Sequence, residues 1–240
     1  MRDYVLIGDI HSQYRPLWEA LAYCQNNARI PVILGDVFDS RCDFSDSAGV
    51  YQLLKQAQKE LGAIVLRSNH QDKLERYIRG NNVHRSPELV RTIEDFEKAN
   101  ISLSEVGQWL ETMPYGFCFR DSSNKEYRCA HAYFPSWLEV EPYEFSRGIF
   151  EVPRKVSQLM MYGPNSKEGK SRVFWWNNPS ERSWVRVAGH YHVVHSSETC
   201  LVLDAGCGGK KRSWFCDEPP ALVLWDAGLG KMVEIGAQGG

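Results

Sequence analysis

The sequence has no C-x-x-C pair, no long apolar run, no strong charge of either sign and no internal repeat. Each absence excludes something. The seven cysteines (24, 42, 118, 129, 200, 207 and 216) are odd in number and scattered. That favours reduced thiols over a disulfide framework. No apolar stretch approaches the roughly 20 residues of a membrane-spanning helix, so no membrane partner is expected. Met1 stands only a few residues before the first apolar run, which leaves no room for a leader, and a cytoplasmic location is the expectation. A net charge of −2 gives no electrostatic footprint for stable binding of duplex nucleic acid. What the 240 residues do have is 43% hydrophobic and 12% aromatic content, enough to fill a core and to exclude global disorder. With no low-complexity linker, residues 1–240 read as a single α/β domain, with 135–183 as a variable covering segment and 237–240 as a floppy tail.

Short apolar runs alternate with amphipathic stretches. Residues 4–8, 31–34 and 63–66 read as buried strands, and 16–28, 46–60 and 72–79 as the helices between them. Gly62 stands where a helix C-terminus calls for glycine. This alternation predicts right-handed crossovers and a largely parallel sheet with ligands at its carboxyl edge. Residues 86–112 read as two helices broken near 100–102. From 115 the pattern changes: 115–120 and 126–130 flank Asp121-Ser122-Ser123-Asn124 as a hairpin. A helix near 151–161 and strands at 184–188, 199–204, 220–226 and 231–235 complete the reading, the last two joined by a Gly-Leu-Gly turn.

The chemistry stands at the strand ends. Residues 4–8 run into Asp9-Ile10-His11, 31–34 into Gly35-Asp36-Val37-Phe38-Asp39, and 63–66 into Arg67-Ser68-Asn69-His70. Two later strands end in His131 and in Gly189-His190-Tyr191-His192. A carboxylate just past a buried strand is costly unless a cation shares its site. Any one of these endings is most often a turn, but five of them carrying metal-type residues form a constellation. The edge therefore reads as a two-metal site with Asp36 shared. Mixed oxygen and nitrogen ligands suit Mn, Fe or Zn and argue against a thiolate site or a calcium cage. Two such ions bind phosphate oxygens and lower the pKa of a bridging water from 15.7 towards about 7.

The order of these motifs resembles the calcineurin-like metallophosphoesterases. Within them it is most similar to the branch of the serine/threonine phosphoprotein phosphatases, the symmetrical diadenosine tetraphosphatases and the phosphatase module of bacterial polynucleotide kinase-phosphatase. The resemblance covers residues 4–209 and implies a four-layer α/β sandwich of two mixed sheets between helices. It implies that Asp9 and His11 hold one divalent metal, that Asp36 bridges, and that Asn69, His131 and His190 hold the second. His192 matches the second histidine of the Gly-His-x-His version of the last motif and is expected to reach the first metal. His70 falls at the proton donor to the leaving oxygen, with Asp39 orienting it. A carboxylate-tuned histidine suits that task near neutral pH. Arg67, with Asn69 beside it, falls where the family grips the phosphoryl oxygens, a role for a planar fork. In strict register the family's second phosphate-binding arginine falls at Ser40, and the neighbouring Arg41 takes that role if its loop carries one extra residue.

Three departures stand out. Ser12 and Ser68 replace glycines of the family pattern, and Gln71 replaces a glutamate. The implied activity is a phosphoesterase with Mn as the expected activator (Fe or Zn as alternatives), acting on a phosphoprotein, a nucleotide-type ester or dinucleoside polyphosphate, or an RNA-end phosphate. A metal-dependent nuclease and a non-catalytic metal-binding scaffold are the alternatives. Trp175, Trp176 and Trp184 read either as a stacking platform or, with greater weight, as packing. A basic group of Arg172, Arg182 and residues 210–212 reads as solvated surface. Cys207 reads as a small packed residue, His84 and His195 as surface, and Asp204 as a turn residue or a partner of a ligand histidine.

Overall fold

The computed structural model describes residues 3–42, 45–139, 152–164, 175–177, 183–207 and 221–236. The basic group at 172, 182 and 210–212, the tail at 237–240 and most of 135–183 lie outside these residues. In chain order the elements are β1 (Tyr4–Ile7), α1 (Tyr14–Asn26), β2 (Ile30–Ile33), α2 (Ser47–Leu61), β3 (Ile64–Val65), α3 (Asn69–Ile78), α4 (Pro87–Lys98) and α5 (Leu103–Glu111). There follow β4 (Gly116–Arg120), β5 (Glu126–Ala130), α6 (Arg154–Tyr162), a 3₁₀ turn (Trp175–Asn177), β6 (Val185–Ala188), β7 (Val194–Ser196), β8 (Cys200–Leu203), β9 (Ala221–Asp226) and β10 (Lys231–Gly236).

The strands form two five-stranded sheets, ordered β10-β9-β1-β2-β3 and β4-β5-β6-β8-β7. Both are mixed rather than largely parallel. β1, β2 and β3 run parallel and carry β9 antiparallel on their flank. In the second sheet β5, β6 and β8 run parallel, with β4 and β7 antiparallel at the edges.

Two-residue periodicity decides which way each side chain faces. Val5, Ile7, Ile33, Leu222 and Leu224 pack under the helices with Leu17, Leu54, Phe96 and Leu110. Leu6, Val32, Leu34 and Val223 point the other way, onto Phe117, Tyr127, Val187 and Leu201 of the second sheet. Each such fully buried side chain contributes about 1.5–3 kcal/mol relative to exposure. The outer face of the second sheet is covered by α6 through Val156 and Met160, and by Trp175 and Trp176. The layers are thus helices, sheet, sheet and a second cover: the four-layer metallophosphoesterase sandwich. The three tryptophans 175, 176 and 184 are buried, so packing accounts for them.

Two boundaries differ from the sequence reading with consequences. α3 starts at Asn69, three residues earlier than the apolar pattern suggests, because Ser68 caps it by accepting from the Gln71 N–H at 3.5 Å. Asn69 and His70 therefore sit on a helix, not in a loop. β7 is an additional edge strand and carries His195, which is half-buried rather than a surface residue.

Candidate metal centre

Every candidate ligand follows a strand of the parallel core of one sheet or the other. β1 leads to Asp9 and His11, β2 to Asp36 and Asp39, β3 to Asn69 and His70, β5 to His131, and β6 to His190 and His192. The loops are laced together: the Ile10 and His11 N–H groups donate to the Asp36 carbonyl at 3.1 and 2.7 Å, and Gly189 N–H donates to the His131 carbonyl at 2.8 Å. His11, Ser12, Asp36, Asp39, His190 and His192 all adopt positive φ, between 40° and 72°. A left-handed non-glycine residue costs about 1–2 kcal/mol, and such strain collects where a site dictates the backbone. Gly189 is required for a different reason, since a Cβ there would lie 2.0 Å from Asp9 Oδ1.

Two groups, buried except for the half-buried His70, bring ligand atoms within 4.8 Å of one another: His11, Asp36 and His70, and Asp36, His131 and His190. Asp36 belongs to both. Its Oδ2 lies 3.8 Å from His11 Nε2 and 3.9 Å from His70 Nε2, and its Oδ1 lies 3.4 Å from His131 Nε2. Asn69 Oδ1 and His190 Nδ1 lie 2.9 and 3.1 Å from that same Nε2. The other ring nitrogens are fixed by the backbone: His131 Nδ1 donates to the Leu34 carbonyl at 3.0 Å, and His11 Nδ1 lies 3.1 Å from the carbonyls of Phe38 and Asp39. That tautomer leaves each Nε2 lone pair facing Asp36, as a metal ligand requires. Asp9 stands beside the second group, its Oδ1 4.0 Å from His131 Nδ1 and its Oδ2 accepting from the His190 N–H at 2.9 Å. His192 stands outside both groups. Its backbone N–H donates to Asp204 Oδ2 at 2.6 Å and its Nδ1 lies 3.6 Å from that oxygen.

The residues fit divalent cations. Asp9 Oδ1 and Asp36 Oδ1 are buried acceptors with no hydrogen-bond donor among the described residues, an arrangement that a cation resolves. Burial, with the nearby charges of Asp204 and Asp36, pushes the Asp9 carboxyl well above the carboxylate range. Burial would raise Asp36 too, but the imidazoles of His131, His70 and His11 outweigh it and hold the carboxyl well below its ordinary value. The donor set is nitrogen and oxygen only.

His70 is held differently. Its Nδ1 donates to Asp39 Oδ2 at 2.9 Å, and Asp39 Oδ1 accepts from Thr92 Oγ1 at 2.9 Å. Burial opposes the charged ring, yet Asp36 and Asp39 together lift its pKa from 6.5 to about 9. A raised folded-state pKa stabilises fully below the unfolded value and is lost as pH climbs through the folded one. In chelator-stripped protein, wild type is therefore expected to lose on the order of 3 kcal/mol of unfolding free energy between pH 6.5 and about 9 that His70→Asn does not lose. Urea titrations of both proteins across that window check this, and parallel curves would refute it.

The departures from the family pattern are absorbed locally. Ser12 Oγ pairs with Ser47 Oγ at 2.9 Å, Ser68 caps α3, and the buried neutral Gln71 donates to the Leu66 carbonyl at 3.3 Å. Arg67 is buried, ion-paired with Glu75 of α3, and lies over the Tyr115 ring at 5.5 Å. Arg41 is exposed, and its charge acts on Glu88. The cation that reaches the Asp36–Ser40 loop is Arg91 of α4, whose Nη2 donates to the Ser40 carbonyl at 2.7 Å. Neither Arg91 nor Thr92 carries a sequence signal, because both arrive from a helix more than 50 residues away.

The fold is the metallophosphoesterase sandwich, with the candidate ligands gathered at its strand ends. No protein-family profile matches the chain. It is 27% identical over 224 residues to the asymmetrical bis(5'-nucleosyl)-tetraphosphatase PrpE of Oceanobacillus iheyensis, covering 84% of this chain and 83% of that one. A solved structure provisionally assigned as a diadenosine tetraphosphatase superposes with a TM-score of 0.62 at 17% identity, over 99% of this chain and 95% of its own. A protein serine/threonine phosphatase from Saccharomyces cerevisiae superposes at 0.53 and 14%, over 100% and 81%. Among the described residues no helix is long and apolar enough to cross a membrane.

Proposed function

We propose that the chain is a dinuclear phosphoesterase that hydrolyses nucleotide-type phosphate esters, with His70 as general acid. The observation that carries this is Asp36, itself buried, common to two ligand groups and left with one oxygen that accepts no hydrogen bond among the described residues. His11, Asp36, Asp9, Asn69, His131 and His190 would hold the ions. When bound, a divalent pair supplies Lewis-acid charge and a nucleophile at neutral pH. Mn²⁺ is the expected activator in vitro, since a donor set without thiolate is not selective.

The chain's own residues supply the rest. Asp39, steadied by Thr92, fixes the His70 ring with Nδ1–H directed at the carboxylate. With its pKa lifted, the ring carries a proton on Nε2 at neutral pH and transfers it to the departing oxygen. Asn69, one residue before it at the start of α3, orients a phosphoryl oxygen from the positive end of that helix. The nucleotide preference is supported by the tetraphosphatase relative. The test is hydrolysis of p-nitrophenyl phosphate and its bis-ester by chelator-stripped protein, with and without Mn²⁺. Manganese-dependent turnover of the monoester is expected. Preference for the diester would turn the reading towards a nuclease, and silence towards both esters with metal bound would overturn it.

A further inference from the structure

A cavity of about 1010 Å³ opens between α3 and α6. Arg67, Arg76, Arg79, Arg154 and Lys155 line it against a single carboxylate, Asp72, in a chain whose net charge is −2. The cations are differently engaged. Arg67 and Arg79 pair with Glu75, Arg79 also with Glu111 at 2.8 Å, and Arg76 lies 3.8 Å from Asp72. Arg154 and Lys155 form no ion pair with the described residues, and both are exposed. They also stand in the first turn of α6, where no side chain caps the helix and no acidic residue offsets them. Cations at the positive end of a helix dipole are unfavourable unless an anion joins them. Independently, the nine-tenths-buried Arg67 lines the same cavity with its Nε making no hydrogen bond among the described residues.

The cavity shares α3 with the candidate metal centre, since that helix begins at Asn69 and carries Asp72, Arg76 and Arg79 along the cavity wall. At one end lies Gly163, where a Cβ would meet Tyr191 and Ala132, the residues after His190 and His131. Along α3, positions 69, 72, 76 and 79 fall on one stripe, so the row begins at Asn69. At 1.5 Å per residue, Arg76 and Arg79 stand roughly 9 and 14 Å along the axis from His70. A single phosphomonoester cannot use cations that far from the scissile phosphorus; a chain of phosphates can. Tyr115 and Tyr162 add aromatic rings to the walls, as base stacking requires.

The geometry points to a second anion subsite between α3 and α6 that holds the distal phosphates of a nucleoside polyphosphate while the scissile phosphate lies at His70. This rests on the phosphoesterase reading of the metal centre, and the test separates the two. Arginine forks and a helix N-terminus recognise phosphate without any metal. Calorimetry on chelator-stripped protein should therefore show inorganic tripolyphosphate binding at least tenfold more tightly than orthophosphate. The double charge reversal Arg154→Glu/Lys155→Glu, at exposed positions that do not threaten folding, should abolish that preference. In the Mn²⁺-loaded enzyme the same variant should lower, at least tenfold, the ratio of kcat/KM for diadenosine tetraphosphate to that for p-nitrophenyl phosphate. Equal binding of the two inorganic anions, or a variant that keeps the wild-type preference, would overturn the subsite. Tighter competition by an acidic phosphopeptide than by tripolyphosphate would overturn the ligand class. Tripolyphosphate binding without turnover of any ester would uphold the subsite and fail the catalytic reading instead.

Discussion

Asp36→Asn is expected to lower kcat/KM for p-nitrophenyl phosphate at least a thousandfold, about 4 kcal/mol of transition-state stabilisation. It is also expected to halve, or more than halve, the metal content of purified protein. The reason is positional. Asp36 is the one residue common to both ligand groups, and its two oxygens face different histidines: Oδ1 towards His131, Oδ2 towards His11 and His70. Asparagine keeps the volume and the φ of 40°, a conformation that it tolerates well, so the change removes charge with little backbone cost. Without that charge the carboxylate between the two ligand groups no longer offsets repulsion between bound cations, and the imidazoles lose the acceptor that balances them. Metal analysis and kinetics on the same preparation decide the matter. Wild-type metal content with turnover within tenfold of wild type would show that Asp36 does not bridge.

The clustering of the candidate ligands was readable because each lies within a few residues of the end of a short apolar strand, and parallel strands deliver their carboxyl ends to one edge. The hairpin at 116–130, the break between α4 and α5 and the left-handed Gly62 cap were readable for a similar reason: local chemistry decides them. What escaped is non-local or too short to show a period. β7 is three residues long. The start of α3 hides because Asn69 and His70 are polar and add nothing to its apolar stripe; only the Ser68 cap marks the boundary. Thr92 and Arg91 come from α4, and their reach to Asp39 and Ser40 depends on how α4 packs over α2. The pairing of Arg67 with Glu75 follows from a helix that the apolar pattern begins too late. With α3 shifted to Asn69, Glu75 falls on the helix face that meets the β3 exit.

His70 tests the chemistry itself, because a general acid leaves a signature that a structural residue does not. Its Nδ1 is tied to Asp39 at 2.9 Å, and its Nε2 is the other ring edge, 3.9 Å from Asp36 Oδ2. Proton donation matters in proportion to the basicity of the departing oxygen. His70→Asn is therefore expected to reduce kcat on phenyl phosphate by 10²–10⁴-fold, the range of general acid catalysis, and on p-nitrophenyl phosphate by far less, because nitrophenolate departs without a proton. A plot of log kcat against leaving-group pKa should be shallow for wild type and steep for the variant. Asn retains a polar group beside Asp39, so that carboxylate, 1% exposed and also held by Thr92, is not stranded without a donor. If His70 serves instead as a third ligand beside His11 and Asp36, as their proximity within 4.8 Å permits, the losses will be uniform across leaving groups and will track metal content. Equal slopes with reduced metal would assign His70 to the metal; unequal slopes with full metal content would assign it to the proton.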